Sequence, residues 1–174
     1  MSVSKKRERL LSLAVLALLL AVEVVLSRFL SVSLWNVKFG FAFIPVVLAA
    51  HLYGTLGCIA VGALGDLVGA LLFPIGPYFP GFTLTAALCG AVYGLCLRDR
   101  ITVWRTLAAV GFSQIVGTLL LNTLWISVLY DSPFWPLLLT RLLEAALMGA
   151  VMCGVVLWLV PRLARPLRPL LFTQ

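Results

Sequence analysis

Long apolar runs, separated by short polar or turn-forming segments, dominate the pattern along this chain. A helix needs about 20 predominantly apolar residues to cross the hydrocarbon core of a bilayer, and most of these runs reach or approach that length. The pattern predicts an all-α integral membrane protein with six transmembrane helices in a single domain, residues 1–174. The predicted spans are about 10–34, 39–53, 55–73, 82–97, 103–130 and 135–160.

The start of the second predicted span is ambiguous, because Phe39, Phe41 and Phe43 alternate as they would in a strand. An isolated strand leaves its backbone groups unpaired in lipid, so a short helix bent at Pro45 is predicted instead. Residues 31–38, before it, are predicted to form a short outer loop.

Composition agrees with this pattern and excludes several classes of function. The chain is 63% hydrophobic and 11% charged, whereas globular domains are roughly half apolar and a quarter charged. Soluble enzymes and nucleic-acid-binding proteins are therefore excluded. Most of the basic residues lie in three clusters, within residues 5–9, 98–105 and 162–168. Such clusters mark cytoplasmic ends, and six spans place all three clusters and both termini in the cytoplasm.

The segment 62–94 has the composition of a binding site. Three prolines and two aromatic residues, Tyr78 and Phe79, occupy the uncharged loop 74–81 between the third and fourth spans. Because proline fixes φ, this loop is predicted to be stiff enough to cover a flat ligand. Asp66 lies on the helical face of Phe73 and about 10 Å below it, inside the hydrocarbon. An ionisable residue at that depth is a functional-site candidate.

The fifth predicted span carries a polar stripe: Gln114, Thr118, Asn122 and Trp125. Their spacing places them on one helical face, which must point into the protein because lipid offers no hydrogen-bond partners. Asn122 and Trp125 are level with the aromatic loop. The alternative for Gln114 and Thr118 is a hydrogen-bonding role between helices.

Further charged residues fall within the predicted spans. Arg28 lies near the outer end of the first span, where it would act either as an interfacial anchor or as a ligand contact. Arg141 and Glu144 in the sixth span are three residues apart and can form an internal ion pair. Glu23 is too far around the helix from Arg28 to pair with it.

Several kinds of chemistry are absent from the pattern. The four cysteines have no metal-binding spacing and are predicted to be buried thiols, and no cofactor or metal site is predicted.

Gly65 and Asp66 resemble part of an intramembrane aspartyl protease motif, but Ala63 breaks it and no second buried aspartate exists. The chain is therefore not predicted to be an enzyme. It has no Walker A motif, so it cannot be its own ATPase. A self-sufficient secondary transporter would be expected to show internal repeats, and none is convincing.

With these residues in view, the chain resembles the substrate-binding (S) components of energy-coupling-factor (ECF) vitamin transporters, and within them the folate-specific branch. The most specific stretch is GDLVGALLFPIGPYFPGFTL. Support comes from LSRFLS around Arg28, KFGFAFIP from Lys38 to Pro45, and LNTLWISVLY from Leu121 to Tyr130.

This resemblance implies a six-helix S-component fold in the bacterial cell membrane, with the vitamin bound near the extracellular face. It also implies a partner module of one transmembrane coupling protein, the T component, and two ATPase subunits. An AxxxA pattern on the first helix meets the coupling protein in that family. Ala17 and Ala21 fit the pattern, and Ala14 shares their face. The implied function is capture of folate outside the cell for ATP-driven delivery. The alternatives are an S component for another vitamin or a secondary transporter.

The chemistry of folate agrees with the residues already singled out. A flat, polar-edged pterin suits aromatic faces with an amide or carboxylate at its edge, and its dianionic glutamate tail suits cations near water. Arg28 is the first choice for the tail, followed by Lys38 and Arg141. The predicted substrate-binding set is Arg28, Lys38, Phe39, Phe43, Asp66, Phe73, Tyr78, Phe79, Asn122, Trp125 and Arg141.

Overall fold

A computed structural model describes residues 3–34 and 37–171. Its elements, in chain order, are α1 (Val3–Arg28), β1 (Val32–Leu34), β2 (Val37–Phe39), α2 (Phe43–Leu72), α3 (Pro80–Leu97), α4 (Val103–Phe112), a π-helical segment (Ser113–Asn122), α5 (Thr123–Tyr130) and α6 (Phe134–Leu171). Within these ranges, five helical runs are long and apolar enough to cross a membrane. The protein is therefore an all-α, multi-pass membrane protein. The count of five treats α2 as a single helix, although its chain reverses direction within it, as described below.

The first span and the outer loop differ from the prediction. α1 ends at Arg28 rather than near residue 34, and β1 and β2 pair as an antiparallel hairpin with Val32 opposite Phe39. The predicted helical start at residue 39 is wrong, because α2 begins at Phe43. The two short strands satisfy each other's backbone, so the objection to an isolated strand in lipid does not apply to them.

α2 folds back on itself at Gly54, where φ is 73° and ψ is −161°. The Cys58 thiol donates to the carbonyl of Val46 at 3.2 Å, although twelve residues of straight helix would separate these groups by about 18 Å. Residues 43–53 and 55–72 therefore lie side by side, which agrees with the predicted boundary between the second and third spans. Only glycine adopts this backbone conformation readily.

Residues 103–130 form one helical run, as the pattern predicts, but its middle is not α-helical. Ser113–Asn122 is π-helical, so the α-helical spacing used to place its polar stripe does not hold there. π-helical turns widen the helix and occur frequently at functional sites. This segment carries Gln114, Thr118 and Asn122.

α6 continues to Leu171, eleven residues beyond the end predicted for the sixth span. Pro161 and Pro166 lie within this helix, although each removes one backbone hydrogen bond from it. The Arg162 guanidinium lies 3.9 Å from the centre of the Trp158 ring one turn earlier. The core of the bundle includes Val47, Val61, Leu97, Val156 and Val160, all 1% exposed or less.

Candidate functional site

Two adjoining cavities open among the helices on the side of the aromatic loop. The outer cavity has a volume of about 430 Å³ and the inner one about 260 Å³. Both are lined by the same six residues where they meet: Lys38, Asp66, Ala86, Cys89, Ser113 and Thr118. Ligand sites in proteins typically have volumes of about 300–1,000 Å³, so the two cavities together have the size of a small-molecule site.

The walls of the two cavities differ in chemistry. The outer cavity is lined by the aromatic loop and by cations, including Arg28, Arg141, Tyr78, Phe79, Asn122 and Tyr130. The inner cavity has an apolar wall with acidic residues, including Phe43, Val46, Met148, Met152, Glu23 and Glu144. An anionic group is therefore favoured in the outer cavity, and hydrogen-bond donors are favoured in the inner one.

Glycines in α2 create the space for the charged residues of α1. A Cβ atom at Gly65 would collide with the Glu23 carboxylate, and one at Gly69 would lie 2.6 Å from Arg28 Nε. Gly65 and Gly69 therefore face α1. Close approach of the helices lets the two charged side chains lie against the backbone of α2 instead of in lipid.

A chain of polar contacts joins Arg28 to the aromatic loop. Arg28 Nη2 lies 3.4 Å from Asp66 Oδ1 and donates to the Asp66 carbonyl at 3.2 Å. The Thr83 hydroxyl donates to Asp66 Oδ2 at 2.8 Å and lies 3.4 Å from the Tyr78 hydroxyl. Asp66 therefore orients Arg28 on one side and is tied to the loop on the other.

The predicted ion pair of the sixth span is present in α6. Arg141 Nε lies 3.6 Å from Glu144 Oε2, and both side chains are almost fully buried. Glu144 Oε1 also accepts a hydrogen bond from the backbone N–H of Lys38 at 2.8 Å. The pair thus holds β2 against α6 and keeps Lys38 at the junction of the two cavities.

Lys38 has a perturbed ammonium group. Although the residue is exposed, the surrounding walls remove part of the hydration of this group, and this loss, followed by repulsion from Arg28, lowers the pKa of Lys38. Asp66 and Glu23 act in the opposite direction. The cation is thus surrounded by other charges and available to a ligand from either cavity.

Several buried atoms of the cavity walls have no hydrogen-bond partner among the described residues, including Asn122 Oδ1, Glu23 Oε2 and Arg141 Nη1. Leaving a buried polar group unsatisfied costs about 1–3 kcal/mol. Groups of this kind in a cavity wall are natural contacts for a polar ligand.

Most of the sequence-predicted site residues meet at these cavities, but three do not. Arg28, Lys38, Phe43, Asp66, Tyr78, Phe79, Asn122 and Arg141 are lining residues of one or both cavities. The structure places Phe39, Phe73 and Trp125 in neither wall.

Trp125 and Phe73 have other packing partners. Trp125 donates through its indole N–H to the Thr85 hydroxyl at 3.0 Å and packs against Phe79, with ring centres 5.5 Å apart. Trp125 therefore packs against Phe79, which lines the outer cavity, without lining the cavity itself. Phe73 packs against Phe29 of the chain after α1, with ring centres 5.1 Å apart.

The prediction left Glu23 and Glu144 out of the site, although both line the inner cavity. Their position inside predicted spans was a sufficient signal, because acidic residues in a membrane helix face the protein interior or a cavity. Tyr130, which lines the outer cavity, carried no such signal, since an aromatic residue at a helix end is ordinary in membrane proteins.

Gln114 has the interhelical role that was the alternative for it. Its amide nitrogen donates to the Ala145 carbonyl of α6 at 3.1 Å, and its oxygen accepts from the Thr118 hydroxyl at 3.1 Å. Both residues also line the inner cavity. The polar stripe therefore joins the π-helical segment to α6.

The small residues of α1 lie away from the cavities. Ala14, Ala17 and Ala21 are all exposed on the surface of the chain. Arg28, which has nearly the azimuth of Ala17 on an ideal helix, reaches across to Asp66 and Gly69 of α2. The alanine face is thus free of contacts that would bury it within the bundle.

Comparison with known proteins gives a consistent result. The sequence model of the protein family described as "ECF transporter, substrate-specific component" matches residues 11–163 of this chain. The chain is 37% identical to "Folate transporter FolT" of Clostridium novyi (strain NT) over 134 residues, which cover 76% of this chain and 78% of that protein. It is 32% identical to "Folate transporter FolT" of Leuconostoc mesenteroides over 147 residues, which cover 80% and 79%.

A solved structure has the same fold. "Crystal structure of FolT bound with folic acid" superposes with a TM-score of 0.82 at 32% identity and covers 87% of this chain and 93% of that one. These relatives are bacterial membrane transport proteins, not enzymes. On this evidence the chain belongs to the family of substrate-specific components of ECF transporters, and it is a multi-pass protein of the bacterial cell membrane.

Proposed function

We propose that this protein is the folate-binding substrate-specificity subunit of an ECF-type ABC transporter. The observation that carries the proposal is the pair of cavities, which combine cations and a stiff aromatic loop at the outer part with hydrogen-bonding groups deeper inside. Its similarity to two folate transporters and to a structure solved with folic acid supports the same ligand.

In the proposed complex, the glutamate tail of folate lies in the outer cavity near Arg28, Lys38 and Arg141. Carboxylates form their strongest hydrogen bonds with guanidinium and ammonium groups, and Arg141 Nη1 has no partner among the described residues. Asp66 holds Arg28 in place. Tyr78 and Phe79 offer aromatic faces, and Asn122 Oδ1 offers an acceptor to the ring system.

Uptake requires a partner, because no nucleotide-binding motif is present in the sequence. The proposed partners are a transmembrane T component and two ATPase subunits, and the exposed face of Ala14, Ala17 and Ala21 is the proposed contact with the T component. Small residues allow close packing of helices in lipid, which supplies no hydrophobic drive for association.

The proposed topology has six crossings with both termini in the cytoplasm. Its support is the reversal of α2 at Gly54, which lets residues 43–53 and 55–72 cross in opposite directions. The three basic clusters then share the cytoplasmic side.

Mass spectrometry of the ligand that co-purifies with the protein tests the function most directly. Folate or a reduced folate at about one molecule per chain is expected. Calorimetric titration of the ligand-free protein should show folate binding that unrelated vitamins do not compete with. Purified protein that binds another vitamin and not folate would refute the proposal.

A further inference from the structure

Glu23 is the membrane-embedded carboxylate whose contacts the proposed function leaves unexplained. It is 6% exposed and lines the inner cavity. The Ser27 side chain is within hydrogen-bonding reach of the Glu23 carboxyl group, but Oε2 has no hydrogen-bond partner among the described residues. No salt bridge to Glu23 is found within the described ranges either.

The other two acidic residues of the cavities are already engaged. Asp66 pairs with Arg28 and accepts from Thr83. Glu144 pairs with Arg141 and accepts from the backbone of Lys38. An unsatisfied carboxylate oxygen in a membrane helix is costly, so Glu23 Oε2 calls for a donor that the described residues do not supply.

The surroundings of Glu23 indicate which part of a ligand supplies that donor. On α1, Glu23 lies five residues before Arg28 and therefore about 7.5 Å deeper. The lining of the inner cavity also includes apolar residues, among them Phe43, Val46 and Met152. These side chains suit the face of a flat heterocycle, whose anionic tail would then extend outward to the cations of the outer cavity.

We infer that Glu23 determines specificity by accepting hydrogen bonds from adjacent N–H groups at the inner edge of the ligand's heterocycle. This inference rests on the proposed folate-binding function. In a pterin the 2-amino group and the N3–H group form such a pair, and a carboxylate can accept from both. Gly65 is required for the fit, because a Cβ there would collide with the carboxylate.

Two fragments that differ at one position test this inference. Pterin carries an amino group at C2, whereas lumazine carries an oxygen there, which would face the carboxylate and be repelled. Competition of each fragment with labelled folate on the purified full-length protein gives the ratio of their affinities. Hydrogen bonds to charged groups predict a preference of the wild-type protein for pterin of about tenfold to a hundredfold.

Glu23→Gln should reduce that ratio about tenfold or more, because an amide is not repelled by the oxygen and can donate to it. Asp131→Asn is the matched control: Asp131 is an exposed acidic residue with a left-handed backbone conformation that asparagine tolerates. Its ratio should equal that of the wild type. Glu23→Asp keeps the charge but shortens the side chain, so it should give a ratio between those of the wild type and Glu23→Gln. This variant replaces Glu23→Gln in the test if the glutamine variant does not fold.

Equal affinity of the wild-type protein for both fragments would overturn the inference without any variant. An unchanged ratio in Glu23→Gln or Glu23→Asp, with folate still bound, would also overturn it and leave Glu23 a purely structural role. Failure of the wild-type protein to bind folate would instead refute the proposed function, and the inference with it.

Discussion

Replacing Arg28 by alanine tests how the charge of the ligand is recognised. The Arg28 side chain is 11% exposed and lines the outer cavity, so a hydrogen bond from it to a carboxylate is largely shielded from water. A hydrogen bond between charged groups contributes about 1.5–3 kcal/mol. Arg28→Ala should therefore weaken folate binding about tenfold to a hundredfold.

The assay compares folate with pterin, which has the same heterocycle but carries no carboxylate. Pterin affinity should change less than about threefold, because the ring contacts remain. Arg105→Ala is the matched control, since Arg105 is exposed and lies in a basic cluster remote from the cavities. That variant should bind both ligands as the wild type does.

The pairing of Arg28 with Asp66 adds a structural effect that must be separated from ligand binding. The Asp66 side chain is 26% exposed and retains Thr83 as a donor, so loss of the ion pair should lower stability without leaving Asp66 unpaired. Equal loss of affinity for folate and pterin would show that the variant disturbs the site as a whole. That result, or no loss for either ligand, would refute the role assigned to Arg28.

Three further predictions concern topology, partner and fold. In a protein without its native cysteines, a single cysteine at Ile75 should react with an impermeant thiol reagent in intact cells, whereas one at Arg100 should not; labelling at position 100 would contradict six crossings. Ala17→Leu should keep folate affinity but lose uptake and co-purification of the ATPase module, and unchanged uptake or parallel loss of binding would refute the partner contact. Gly54→Ala should lower the free energy of unfolding by about 1–3 kcal/mol because its φ of 73° is strained for other residues. Gly154→Ala, where a Cβ would meet no atom within 4 Å, is its control, and equal thermal stability of the two variants would contradict the prediction.

The sequence allowed the helical elements to be predicted well where length and hydropathy suffice. The limits of residues 103–130 and the boundary at residue 54 agree with the structure. The hairpin of β1 and β2 was missed because pairing between two short strands depends on a tertiary arrangement that alternation alone does not specify. The π-helical turn was missed because π geometry has no distinct hydrophobic period from which to predict it.

Prediction of the site was limited by the same difference between local pattern and packing. Arg28, Asp66 and Asn122 could be identified because polar groups are rare and costly in membrane helices. Aromatic residues are not rare there, so the sequence could not separate Phe79, which lines the outer cavity, from Phe73, which packs against Phe29. Their separation depends on side-chain direction, which only the fold provides.

The fit of Glu23 and Arg28 against Gly65 and Gly69 also constrains how the protein can move. If α1 slid away from residues 55–72, two charged side chains would leave their recesses and enter hydrocarbon, at a cost of several kcal/mol by insertion scales. Any rearrangement in the transport cycle should therefore carry these two helices as one rigid body. The flexibility needed to admit and release a ligand must then come from the segments around them, the β hairpin and the loop after α2.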